Sequence, residues 1–146
     1  MAAGQSAIPA VVTAVLGLLN VSSITSTLGC AVYDHVPQNS AFPYIALQTP
    51  IETRDDRFGA SGKQVLIFAH VYTSSEQTVG SEQVSTIVSK VCELTDYPAI
   101  PASFATAGWS CSGLRPENVT DVGDIMDDGI TYKHFVVEIR VWVQPT

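Results

Sequence analysis

Residues His134 to Val143 alternate almost strictly. Phe135, Val137, Ile139, Val141 and Val143 fall on one side, and Val136, Glu138, Arg140 and Trp142 on the other. A repeat of two is the side-chain period of a strand. One apolar side with one mixed side marks an antiparallel strand that is half buried. Such a strand needs a sheet to sit in and a second layer to cover its apolar side.

Lys63 to Tyr72 supplies a neighbour. Val65, Ile67, Ala69 and Val71 line one face of it, and Leu66, Phe68, His70 and Tyr72 line the other. Both faces are mostly apolar, so this strand is expected to be covered on both sides, by helices on one and by a neighbouring subunit on the other. Tyr44 to Glu52 reads as a further strand, with Pro50 marking an edge or a bulge. Trp109 through Leu114 to about Val122 reads as another, in which Pro116 favours an edge position. Thr53 to Gly62 is a charged hairpin tip. Asp124 to Gly129 is a turn with an Asp-Gly signal.

The covering layer comes from two amphipathic segments. Ile8, Val11, Val12, Val15, Leu16 and Leu19 recur at helical spacing, with Pro9 in the first turn where its missing N–H costs nothing. Thr73-Ser74-Ser75 can cap a second helix from about Glu76 to Leu94, whose stripe is Val84, Ile87, Val88, Val91 and Leu94. Tyr97 to Gly108 is loop-like. The expected fold is therefore a two-layer α+β domain over residues 1–146. It has an antiparallel four-stranded sheet with two helices packed on one face, in the order helix, hairpin, helix, hairpin.

Composition narrows the function. The chain has 146 residues, of which 46% are hydrophobic and 14% charged, a well-buried chain with a bland surface that suits an oligomer. The formal net charge is -7 and the first basic residue is Arg54. Gripping nucleic acid through its phosphates needs the opposite balance, whereas an acidic wall lets DNA slide past. Cys30, Cys92 and Cys111 are too sparse for a disulfide framework and are expected as free thiols. Ile8 to Val21 has no Lys or Arg before it, so the signal-peptide reading lacks its charged start, and the stretch is too short to span a bilayer. No membrane association is expected.

Catalytic chemistry is hard to assemble. A Cys–His pair would need one of the three thiols beside His35, His70 or His134, and Cys92 falls beside a buried helical stripe. No closely spaced Cys or His ligands suggest zinc. No glycine-rich phosphate loop occurs. Asp124, Asp127 and Asp128 do not have calcium-loop spacing. Asn20-Val21-Ser22 and Asn118-Val119-Thr120 match the glycosylation pattern, which arises often by chance. No enzyme activity, metal or cofactor is expected. Trp142 either packs at a sheet end or makes a subunit contact, since tryptophan is enriched at interface hot spots. The Arg54 to Arg57 loop is either a solvated tip or a docking element.

Val32-Tyr33-Asp34-His35-Val36-Pro37-Gln38-Asn39-Ser40-Ala41-Phe42-Pro43-Tyr44-Ile45 is a stiff elbow. Val36 and Phe42 precede prolines and are pushed toward extended backbone, and Gln38-Asn39-Ser40 turns between them. In its Val-Tyr-Asp-His-Val-Pro…Phe-Pro-Tyr form the elbow resembles the opening motif of the tail-completion, or tail-terminator, proteins of long-tailed phages, prophages and gene-transfer particles. His70-Val71-Tyr72-Thr73-Ser74 resembles that family's strand-to-helix junction. Asp127-Asp128-Gly129 with the strand to Val143 resembles its closing hairpin.

The resemblance implies a structural virion protein that forms a homo-hexameric ring at the head-proximal end of the tail tube, in the neck region. It would be assembled in the host cytoplasm. Its implied partners are the major tail tube protein, a head-tail connector or stopper protein, and double-stranded DNA that passes through the lumen without specific binding. On this reading Val136, Arg140, Trp142, Arg54 and Arg57 are candidates for subunit or partner contacts. Asp55, Asp56, Asp124, Asp127 and Asp128 are candidates for a lumen wall. The alternative reading is a soluble cytoplasmic α+β ligand-binding or regulatory module, with a pocket lined by His35, His70 or Cys30.

Overall fold

A computed structural model of the chain describes residues 5–55, 62–74, 81–96 and 108–146. The order of elements is α1 (Ile8–Leu19), α2 (Ser22–Thr25), β1 (Ala31–Tyr33), β2 (Tyr44–Arg54), β3 (Lys63–Ser74), α3 (Ser81–Thr95), β4 (Trp109–Asp127) and β5 (Ile130–Pro145). Among the described residues the strands form one five-stranded sheet in the order β1-β2-β3-β5-β4.

The sheet is mixed, which corrects the expected four-stranded antiparallel one. β1 lies parallel to β2, with Ala31 opposite Tyr44 and Tyr33 opposite Ala46. The other three pairings are antiparallel. There are also three helices among the described residues, not two. Both additions are short. A strand of three residues and a helix of four are below the length at which periodicity gives a signal. The elbow turns the chain back on itself so that β2 runs beside β1. Within it Asn39 takes φ 62°, a left-handed conformation that asparagine tolerates, and the Ser40 hydroxyl donates to the Pro37 carbonyl at 2.6 Å.

The remaining strands follow their chemistry. The register of β2 slips between Gln48 and Ile51, around Pro50, which has no N–H to offer the ladder. β4 is an edge strand of the described sheet, and its register slips again between Pro116 and Asn118. The closing turn is tighter than expected. β4 runs on through Asp124 to Asp127, leaving Asp128 (φ 53°) and Gly129 (φ 77°) as a two-residue turn with both φ angles positive. The start of the expected second helix (residues 76–80), the loop residues 97–107 and the hairpin-tip residues 56–61 lie outside the described residues.

The core sits between one face of the sheet and the helices. Val65, Ile67, Ala69 and Val71 of β3 and Val137, Ile139, Val141 and Val143 of β5 are fully buried. They cluster with Val11, Val15 and Leu19 of α1 and with Val84, Ile87 and Val91 of α3. Each such Val, Leu or Ile side chain contributes roughly 1.5–3 kcal/mol of burial. Among the described residues no helix is long and apolar enough to cross a membrane.

A carboxylate anchors α1 to the sheet. Ala7, the residue that begins the helix, has no side-chain oxygen to cap it. Glu52 of β2 takes over: its Oε1 accepts from the Ala7 N–H at 2.6 Å and from the Ser6 hydroxyl at 3.3 Å. Lys63 Nζ lies 3.3 Å from the other Glu52 oxygen and also donates to the Gln5 carbonyl at 3.2 Å. A negative group at a helix start is favoured by the unpaired N–H groups there. Glu52→Ala is expected to cost about 1–2 kcal/mol, the usual loss for a removed helix cap. A urea midpoint equal to that of the natural chain would contradict it.

Candidate functional site: the outer sheet face

The sheet face turned away from α1 and α3 carries Leu66, Phe68, His70 and Tyr72 of β3 and His134, Val136, Glu138, Arg140 and Trp142 of β5. All are half-buried, and none belongs to the core cluster. The strand alternation that buries Val137 to Val143 necessarily puts these residues on this side.

One end of the face is charged. Trp142 lies over Gly113 of β4, where an added Cβ would come within 3.0 Å of the indole ring. The Arg115 guanidinium stands 5.0 Å from its ring centroid and that of Arg140 6.0 Å. Arg140 donates to Glu117 at 2.9 Å and to Gln64 at 2.6 Å. Arg115 also reaches Glu117, at 3.2 Å. Desolvation alone would raise the Glu117 carboxyl. The hydrogen bonds and charges of Arg140 and Arg115 outweigh it and hold the group below its ordinary range. The Trp142 Nε1 is buried with no hydrogen-bond partner among the described residues.

The other end is a run of touching rings, tilted around Phe42 and Tyr44 and stacked among His70, Tyr72 and His134. Tyr33 of β1, Phe42 of the elbow, Tyr44 of β2, His70 and Tyr72 of β3, and Tyr132 and His134 of β5 form one connected chain of contacts. Tyr72 and His134 are the closest pair, with centroids 4.3 Å apart and planes 17° from parallel. His70 Nδ1 and His134 Nε2 are 2.8 Å apart. Desolvation lowers the pKa of both histidines, and the charge of His134 lowers that of His70 further. Burial raises the Tyr44 and Tyr72 hydroxyls.

This cluster is a site that the reading of single residues misses. Its signal in the sequence is the spacing: Phe42/Tyr44, His70/Tyr72 and Tyr132/His134 are each two residues apart, the same-face repeat of a strand. All six lie in or beside the three stretches that carry the family resemblance. Those stretches, far apart in the chain, meet at one place.

The expected contact residues separate. Val136, Arg140 and Trp142 share the outer face, with Val136 opposite His70 and Trp142 opposite Gln64. Val136 and Trp142 are roughly 20 Å apart along β5. Arg54 is exposed at the end of β2, and Arg57 lies outside the described residues. Of the acidic candidates, Asp55 is only 5% exposed and accepts from Gln64 at 2.9 Å. Asp56 is outside the described residues. Asp124 pairs with Lys133 at 2.9 Å, and Asp127 and Asp128 are exposed at the hairpin tip.

The thiols are poor nucleophiles. Burial pushes Cys30 up to about 12, and desolvation also raises Cys92 and Cys111. A groove of about 470 Å³ between α2 and α3 is lined by Ser23, Thr27, Ser85, Ser89, Lys90 and Glu93, and none of His35, His70 or Cys30 borders it.

Comparison with known proteins agrees with the architecture. A solved chain described as "Virion of native gene transfer agent (GTA) particle" superposes with a TM-score of 0.68 at 19% identity, covering 94% of this chain and 98% of that one. That likeness establishes a shared fold. No curated protein gives a significant match. The family model "Tail completion protein gp17" matches residues 10–144, nearly the whole chain. The chain therefore belongs to the tail completion protein gp17 family, and its place is the virion tail.

Proposed function

We propose that six copies of the chain close into a ring on the head-proximal end of the tail tube. There the ring ends tube polymerisation and offers the surface on which the filled head docks. One rim meets the major tail tube protein, the other a head-tail connector or stopper protein, and double-stranded DNA passes through the lumen without specific binding. The protein acts by shape and contact, not by catalysis.

The observation that carries this reading is the outer sheet face, in a chain of a tail completion family. Helices seal one side of the sheet. The other side keeps Leu66, Phe68, Val136 and Trp142 half-buried and outside the core. A cyclic ring needs one surface of each copy to meet a different surface of the next. The Trp142–Arg115–Arg140 end and the aromatic end are chemically unlike, which suits such head-to-tail contact. Arg54, exposed at the end of β2, extends the contact toward a rim. Asp124, Asp127 and Asp128 at the hairpin tip, with the net charge of -7, suit a lumen that does not hold phosphate. Asp55 is left out of that wall because it is buried.

The mass in solution tests the ring. Light scattering of the purified chain, with and without tail tubes, is expected to report six copies per particle. A closed ring with any other number of copies would overturn the hexamer.

A further inference from the structure

We propose that Arg115 of one copy pairs with Asp34 of the next, which seats the neighbour's elbow against the Trp142 end of the outer sheet face. The inference rests on the ring proposed for this chain and names the charges that join one copy to the next.

Arg115 is a guanidinium with donors to spare. It and Arg140 share the Glu117 carboxylate, at 3.2 and 2.9 Å. Arg140 is held a second time, by Gln64 at 2.6 Å, and its side chain is 27% exposed. Arg115 makes its one hydrogen bond to Glu117, and its side chain is 60% exposed. Its remaining N–H groups have no partner among the described residues. The other carboxylates of this end are engaged: Asp55 accepts from Gln64 at 2.9 Å, and Glu138 from Asn118 at 3.0 Å. A guanidinium resting on an indole ring offers its free edge to a planar anion, which a carboxylate fits.

Asp34 is the complementary group. It is the single Asp, Glu, Lys or Arg in residues 1–51. It is exposed at the start of the elbow and makes no hydrogen bond or ion pair with the described residues. Tyr33, just before it, lies against Tyr44 with ring centroids 6.1 Å apart, so the carboxylate stands beside the aromatic end. The cation of that end, Lys133, is already held by Asp124 at 2.9 Å.

The fold keeps these two charges apart within one copy. Asp34 follows β1 and Arg115 lies in β4, the two edges of the described sheet. Four strand spacings separate those edges, about 19 Å. A head-to-tail ring brings one side of a copy to the unlike side of the next, which is where the two can meet. The edges themselves are poor templates for strand pairing. β1 has three residues, and β4 carries Pro116 and three register slips. Short edges, prolines and bulges oppose main-chain addition, so the contact runs through side chains. Tyr33 and Phe42, both half-buried, flank the carboxylate as Trp142 flanks the guanidinium.

The test is charge reversal in the full chain, with ring formation followed by light scattering and electron microscopy in the presence of tail tubes. Asp34→Arg removes no contact within the copy, so its melting temperature is expected to stay within about 2 °C of the natural chain. It should raise the concentration that gives half assembly by about tenfold or more, because it sets two cations together at each contact. Arg115→Glu should do the same. The double variant Asp34→Arg with Arg115→Glu restores opposite charges and should assemble within about threefold of the natural concentration. Natural rings that Asp34→Arg leaves intact would overturn the pair and leave the ring standing. So would a double variant that assembles no better than either single one. Natural chains that never form rings would overturn the ring itself.

Discussion

Ile139→Ala is expected to lower stability by about 2–5 kcal/mol, the range for removing most of a large aliphatic side chain from a packed core. Ile139 is fully buried near the middle of β5. β5 is an interior strand, with Ile67 of β3 opposite on one side and Pro116 of β4 on the other. Neither neighbour can easily fill the space. Ile67 is itself at 0% exposure, and Pro116 is rigid and sits at a register slip. A sheet held from both sides collapses poorly around a cavity, so the loss should fall in the upper half of the range. For a chain of this size each kcal/mol shifts the melting temperature by roughly 2–4 °C. Thermal unfolding should therefore show a fall of about 10 °C. A fall of only a degree or two would mean that the core is not organised around β5.

Trp142→Ala has the second largest expected effect, and it acts at two levels. Within one copy it removes the surface that Arg115 and Arg140 lie over and leaves Gly113 beside a hole. Trp142 is only half-buried, so the expected cost is about 2 kcal/mol, below the range for a fully buried tryptophan. Between copies the effect should be larger. A tryptophan packed by two arginines at the centre of a contact is the usual composition of a hot spot, where truncation costs about 2 kcal/mol or more. The variant should melt as a folded chain at lower temperature and fail to form rings. Gly113→Val supplies the control, because it displaces the indole without deleting it. Its Cβ would come 3.0 Å from the ring, so assembly should weaken there too. Trp142→Ala chains that still assemble at the natural concentration would remove Trp142 from the interface.

Sequence reading located α1, β2, β3 and β5 because each is long enough to repeat its period. It missed β1 and α2 because three and four residues carry no period, and it therefore expected a purely antiparallel sheet. It ended β4 early because the acidic run from Asp124 reads as turn chemistry. In the fold Asp124 is held in the ladder by its pair with Lys133, and only Asp128 and Gly129 turn. Trp142 and Arg140 were legible as an outer-face pair from alternation alone. Glu117, the carboxylate that Arg140 shares with Arg115 across a register slip in β4, was not. The aromatic cluster was hidden for a related reason. Its members are local pairs in the sequence, and only the parallel return of the elbow joins Tyr33 and Phe42 to the rings of β2, β3 and β5. The elbow thus contributes side chains to the outer face as well as a change of direction.

The central claim is that this chain ends a tail tube. Growing tubes of the major tail protein, mixed with the purified chain and imaged by electron microscopy, test it most directly. The account expects tubes that stop lengthening, each carrying a six-fold ring at its head-proximal end. Tubes that continue to lengthen with bare ends in excess protein would contradict it.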